Sequence, residues 1–322
     1  MTVSVMHGQQ VDRLDDLAGL ATLAEEHDVR LWLGQSFALD SQDALSALAG
    51  RGHRVAAGLA VAVAPLRSPF DAALRARSVA TLLQRPLTVA YGIGSLTAAA
   101  ALLGRPLERP GSFVRDYVAE VRRLLDEGPT GRSLFPLEAP PVEVGCGVLR
   151  RRMARLAGEV ADVAVTWLAP LDHLTGTLLP TLAEGAEAVG RPRPRVVSVV
   201  QCAVARPGRV PPRLAQIACG SHLRLPHYRA MLAEAGLELS GRPAGDLRAA
   251  VEAGLFAYGS PADLAATVRA HLDAGVDEVV LNAGAVGIEH GTTAVGEDLR
   301  EVLAEVLPAG RTRTATTSGR TS

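Results

Sequence analysis

The run VGCGVLRRRMAR, residues 144–155, places Arg150, Arg151, Arg152 and Arg155 just beyond two glycines that bracket Cys146. Glycine lets backbone N–H groups approach a ligand closely, and a helix starting there presents unpaired N–H groups at the positive end of its dipole. Arginine adds charge-assisted bonds to a phosphate or carboxylate. A second glycine-rich stretch, YGIGS at 91–95, closes an earlier apolar run. Two readings are open: tight strand-to-helix turns with solvated arginines, or two parts of one anion site. Occurrence at the ends of successive strands favours the shared anionic ligand. A helical step of ~100° per residue keeps the three consecutive arginines from all facing one ligand. The backbone of Gly145, Cys146, Gly147, Val148 and Leu149 is therefore the expected cradle, with Arg150 and Arg151 as helpers.

Proton chemistry has fewer candidates. The stretch GSHLRLPHY carries His222, His227 and Tyr228, which can donate or accept a proton, and His7 follows the first apolar run. The competing reading is that a helix histidine covers a neighbour and Tyr228 packs. His27, His53, His271 and His290 read as surface residues. Trp167 is expected to wall a pocket, with a role in the core as the alternative.

These residues need a frame. Short apolar runs at 2–6, 30–33, 55–63, 87–91, 142–144, 163–167, 195–203 and 278–281 read as strands. Between them run helical patterns such as Leu14, Leu17, Leu20 and Leu23. The strands are apolar almost throughout, as parallel strands covered by helices should be. Eight such strands in 322 residues predict an α/β protein, a (β/α)8 TIM barrel. Residues 1–308 are expected to form one domain, with an insertion after the seventh strand at about 205–258 acting as a lid, and 309–322 a disordered tail. In such a barrel chemistry gathers where strands end and helices begin. Those junctions bring in His7, Gln35, Ala64 with Pro65, Tyr91, Gly92, Gly94, Ser95, the 145–151 run and Trp167.

Composition removes several classes. All 33 basic residues are arginine, so a Schiff-base lysine and a P-loop lysine are excluded. A net charge of -1 gives no field for nucleic acid or an anionic membrane. Cys146, Cys202 and Cys219 lie far apart without zinc-ligand spacing, so neither a metal nor a disulfide framework is expected. The N-terminus lacks a signal-peptide pattern, and no apolar run reaches the ~20 residues of a spanning helix. A cytoplasmic protein is the default expectation. GIGS is too short for a Rossmann fingerprint and no acidic residue follows ~20 positions on.

The run PLTVAYGIGSLTAAAALLGRPLERPGSFVRDYVAEVRRLLDEG resembles the fourth-strand region of the bacterial-luciferase-like oxidoreductases, which use flavin or coenzyme F420. LAGEVADVAVTW resembles that family's fifth helix and sixth strand, and SPADLAATVRAHLDAGVDEVVLN its closing helix and strand. PLRSPFDAALRARSVATLLQRPL is similar to the segment before its fourth strand. The likeness spans most of residues 1–307.

The resemblance implies a cofactor ring in the barrel mouth, with its tail phosphate on the backbone after the fifth strand. Carried over, Gly145 to Leu149 surround the phosphate with Arg150 and Arg151 nearby. Tyr91, Gly92, Gly94 and Ser95 lie beside the sugar-alcohol chain, and Ala64 and Pro65 back the ring. The family's cis peptide at the third strand end suggests Ala64-Pro65, where cis costs only ~0.5–1 kcal/mol, although trans is the commoner form. The family histidine after the second strand is replaced by Gln35 and Ser36, and its glutamate after the fourth strand is missing. The lysine-free composition resembles that of actinobacterial proteins, where F420 is available. That tilts the expected cofactor to F420, with FMN as the alternative. The expected activity is hydride transfer to or from a small-molecule or modified-peptide natural product, including reduction of a C=C such as a dehydroamino acid. The alternatives are an FMN-dependent monooxygenase, a non-catalytic flavin-binding relative, and a phosphate-binding barrel enzyme without a redox cofactor. Barrels of this kind commonly dimerise through helices, so a homodimer is a further expectation.

Overall fold

A computed structural model of the chain describes residues 2–127 and 139–308. The expected tail, 309–322, lies outside the described residues. The strands are β1 (Thr2–His7), β2 (Leu31–Leu33), β3 (Ala57–Val63), β4 (Leu87–Gly92), β5 (Val142–Gly147), β6 (Val163–Trp167), β7 (Arg195–Val204), β8 (Phe256–Gly259) and β9 (Glu278–Asn282). β1 to β7 pair in parallel in chain order, and β9 closes the ring between β7 and β1. The result is a closed eight-stranded TIM barrel with helices outside. β8 was not anticipated. It pairs with the last four residues of β7 and lies outside the ring.

Alternation along the strands sorts the side chains. Met6, Trp32, Ala60, Ala90, Val163, Val165, Val197, Val199 and Val280 form the core inside the ring. Their neighbours in sequence, such as Val5, Leu31, Val89 and Val279, pack outward in the larger core shared with the helices. At the N-terminal end of the barrel the interior turns polar. Glu278 is fully buried and accepts hydrogen bonds from Ser4 Oγ at 2.6 Å, Trp32 Nε1 at 2.7 Å, Arg30 at 3.0 Å and Arg195 at 2.6 Å. Arg195 also bonds Glu143 at 2.7 Å. This plug holds the strands at the end opposite the site.

The insertion is built from helices Pro211–Cys219, Pro226–Glu234 and Pro243–Glu252 followed by β8. Its root is tied down by buried Asp298, which accepts from Val204 N at 3.2 Å, Arg206 Nε at 2.9 Å and Arg209.

Ala64-Pro65 takes the commoner trans form, within the 3-10 turn Ala64–Leu66, and the cis peptide near the end of the third strand is Ala60-Val61, where β3 also shifts register against β4. One expectation needs correction. His271 is buried at 7% exposure, not on the surface. It continues the inward stripe of Leu264, Ala265 and Val268 on helix Pro261–Asp273, and its Nδ1 lies 2.9 Å from Thr267 O.

Candidate functional site

At the C-terminal mouth the inward positions fall into two arcs. From β2 round to β5 they are small or apolar: Gly34, Gly92 and Gly147 follow the inward residues Trp32, Ala90 and Gly145 by one strand period, and β3 contributes Val61, which packs on the interior core. A Cβ on Gly92 or Gly147 would stand 2.9 Å from the side chain of Val61. On the other arc the same layer carries Trp167, Gln201 and Asn282. Gln201 is 3% exposed, and both its Nε2 and Trp167 Nε1 are buried without a hydrogen-bond partner among the described residues. Asn282 Oδ1 accepts from Gly284 N at 2.9 Å.

Residues 145–149, the expected cradle, are partly committed to the barrel. Gly145 and Cys146 are ladder residues of β5, and the Cys146 thiol packs outward, where burial pushes its pKa up to about 12. Val148 N–H is used by Val165 O at 2.8 Å. What stays open is the start of helix Arg151–Val160. Its N-cap is Arg150, in extended conformation, and no side chain caps its first turn. Arg150, Arg151 and Arg152 are all exposed there. The helix is seated by a close crossing, since a Cβ on Gly158 would stand 2.4 Å from Leu182 O and one on Gly185 would stand 2.2 Å from Arg155 O. The loop before it is held by His173, buried at 2%, whose Nε2 lies 3.0 Å from Leu149 O and so donates to it.

The insertion leans across the β6 side of this mouth. The His222 ring stacks on Trp167 at 5.8 Å and meets the edge of Tyr228 at 4.9 Å, while His227 lies 4.8 Å from Tyr228. Glu234 approaches Arg151 at 3.8 Å. Burial, and then the neighbouring His227, lower the His222 pKa to about 4, so this imidazole is neutral at neutral pH. Burial also lowers His227, with a further push from Arg150, and raises the Tyr228 phenol. Three of the four proton-transfer candidates thus meet beside Trp167. His7 does not join them. Its place in β1, one residue past inward Met6, turns it outward, where burial lowers its pKa.

The remaining sequence candidates are distributed around the rim. Tyr91 points outward onto Tyr117, ring to ring at 5.1 Å. Ser95 caps helix Leu96–Leu103 through Ala98 N at 3.1 Å, and Gly94 supplies the left-handed turn before it. Gln35 is fully engaged, donating to Ser36 O at 2.9 Å and Asp40 at 3.3 Å and accepting from Val63 N at 3.3 Å. Ala64 and Pro65 border a cleft of about 550 Å³ with Arg67, Phe113 and Tyr117. Gln35 borders a second cleft of about 400 Å³ with Asp40, Arg67 and Asp71. Both clefts lie on the β2–β4 side of the mouth, away from the cradle.

Gln201 and His173 escaped the sequence reading. Strand period from Val197 and Val199 would have turned Gln201 inward. His173 stands six positions past the end of β6, on a strand-to-helix connection, but its target is a carbonyl in another connection and no local pattern marks that. Among the described residues no cluster of His, Cys, Asp and Glu could hold a metal, and no helix is long and apolar enough to cross a membrane.

Residues 1–278 match the luciferase-like monooxygenase family. The chain belongs to that family. As a luciferase-like oxidoreductase it also shares its fold with solved enzymes. One is the coenzyme F420-dependent tetrahydromethanopterin reductase of Methanopyrus kandleri, 17% identical with a TM-score of 0.69, covering 92% of this chain and 98% of the reductase. Another is the EDTA monooxygenase of Chelativorans sp. BNC1, 15% identical with a TM-score of 0.73, covering 97% and 95% of the two chains. A third is the oxygenating constituent of 3,6-diketocamphane monooxygenase from Pseudomonas putida in complex with FMN, 14% identical with a TM-score of 0.70, covering 95% and 98%. None of the curated proteins matches the chain significantly in sequence.

Proposed function

We propose that this luciferase-like chain is a coenzyme F420-dependent oxidoreductase that transfers hydride to or from a small-molecule or peptide natural product. The observation that carries the reading is the uncapped start of helix Arg151–Val160, set at the mouth beside Gly147 and fringed by exposed arginines. Such a helix start binds phosphate through its free N–H groups. F420 bears a phosphate and then a chain of carboxylates, whereas FMN ends at one phosphate. Exposed Arg150 and Arg151 beside that helix start suit the longer polyanion.

The residues present fit such a cofactor. Val61 of β3 packs into the space left by Gly92 and Gly147, so a flat ring would lie against Val61, Trp167 would wall it, and the N–H groups of Trp167 and Gln201, unpaired among the described residues, would be donors for its polar atoms. When bound, F420 supplies a carbon that gives or takes hydride without activating oxygen. Backbone N–H groups at the start of the 151–160 helix hold its phosphate, and His173 fixes the Leu149 carbonyl so that this loop keeps its shape. Neutral His222 is placed to accept a proton at a ring nitrogen, and its edge contact with the Tyr228 ring orients it. The insertion covers the β6 side and keeps water out.

The family's own description favours a second reading, an FMN-dependent monooxygenase on the same site. Titration of the purified chain with F420 and with FMN, followed by absorbance and fluorescence, separates the two. Micromolar F420 binding with weak FMN binding is the expected result. The reverse order favours the monooxygenase, and binding of neither removes both redox readings.

A further inference from the structure

Gln201 is the last inward residue of β7 before the chain leaves the barrel for the insertion. It follows Val197 and Val199, both in the interior core, by the strand period, and its register partner is Asn282. Its carboxamide nitrogen is buried without a partner among the described residues, and a buried donor left unpaired by the protein is costly. No hydrogen bond joins it to Asn282, whose carbonyl oxygen accepts Gly284 N–H at 2.9 Å. Around the rest of the mouth layer, Gly34, Gly92 and Gly147 offer no side-chain polar atom, and the Trp167 indole is a donor alone.

We infer that Gln201 recognises the imide edge of the cofactor ring. This rests on the cofactor reading above. A primary carboxamide presents a donor and an acceptor side by side. The pyrimidinedione edge common to F420 and FMN presents a carbonyl acceptor beside the N3–H donor, so the two edges can form a pair of parallel hydrogen bonds. Among the described inward residues of the mouth layer, Gln201 is the one side chain with both functions and an unsatisfied donor. The assignment holds for either cofactor, since they do not differ along this edge.

The test uses the full chain and measures dissociation constants by fluorescence for F420, for FMN and for the N3-methyl derivative of whichever binds. Methylation removes the N3–H and should weaken binding to the wild-type chain about tenfold, the size of one lost hydrogen bond of ~1.4 kcal/mol. Gln201→Leu, of similar volume, should lose about tenfold for the parent cofactor and lose nothing further on N3-methylation. Equal methyl penalties in wild type and variant, or a wild-type chain indifferent to the methyl group, overturn the assignment while leaving the cofactor reading intact. The wild-type comparison needs no variant, so a Gln201→Leu chain that fails to fold does not block it. Absence of binding by both parent cofactors overturns the cofactor reading, and this assignment with it.

Discussion

His222 shows how burial fixes a side chain's chemistry before any substrate is present. Its imidazole lies on Trp167 with its pKa lowered to about 4, so it works as a neutral ring and takes a charge only in acid. The folded pKa lies below the unfolded value near 6.5, so the unfolded chain binds the proton first. The stabilising contribution of neutral His222 is complete above about pH 6.5 and is lost as pH falls from there toward 4. Melting temperature measured from pH 7 to 4 should therefore fall in the wild type and fall less steeply in His222→Phe; parallel slopes would show that this ring is not responsible. A second consequence at this scale concerns the arginines. Arg150→Ala and Arg151→Ala should each weaken cofactor binding by roughly tenfold, the worth of a charge-assisted bond of ~1.5 kcal/mol, with melting temperature little changed. Full affinity in both variants would remove the arginines from the phosphate site. The glycine-arginine pairing behind the proposed phosphate site is a local pattern that can be read from the sequence. His173 and Gln201 are not legible there, because one acts on another connection and the other looks like any polar residue in an apolar run until strand parity is applied.

Among the elements, helix Arg151–Val160 has to be placed closely for its first turn to meet the phosphate proposed for it. That placement comes from its crossing with helix Leu179–Glu187, where Gly158 and Gly185 let the backbones touch. Gly158→Ala should push the two helices apart, costing about 1–3 kcal/mol of stability as an overpacked contact does. It should also weaken cofactor binding although no ligating group has changed. Stability and affinity measured on the same variant check this, and a stable variant with wild-type affinity would mean the crossing does not position the cradle. Neither glycine stood out in the sequence, since each looks unremarkable until the partner helix is known. The eight ring strands were legible for the opposite reason: a strand covered on both faces needs a nearly continuous apolar run. β8, with only FAYG and a partner only at the end of β7, carries no such run and was absorbed into the expected insertion.

Across the whole molecule the two ends of the barrel divide the labour. The N-terminal end is closed by Glu278, Glu143, Arg30 and Arg195, and the C-terminal mouth is lined by glycine and by donors without a partner among the described residues. A site needs open space and unsatisfied groups, both of which weaken a fold, so the opposite end has to hold the ring together. Glu278→Gln isolates that contribution. The amide keeps the shape and can still accept from Trp32 and Ser4, but it removes the one fully buried carboxylate between Arg30 and Arg195. Arg195 and Arg30 keep Glu143 at 2.7 Å and 3.8 Å, so the change weakens their charge-assisted bonds without stranding them, at a cost of about 1.5–3 kcal/mol that should lower the denaturation midpoint. Cofactor affinity per folded molecule should stay at the wild-type value, because every group in the cradle and the mouth layer is untouched. If affinity falls in proportion to stability, strain travels through the strands from one end to the other and the two ends are not independent.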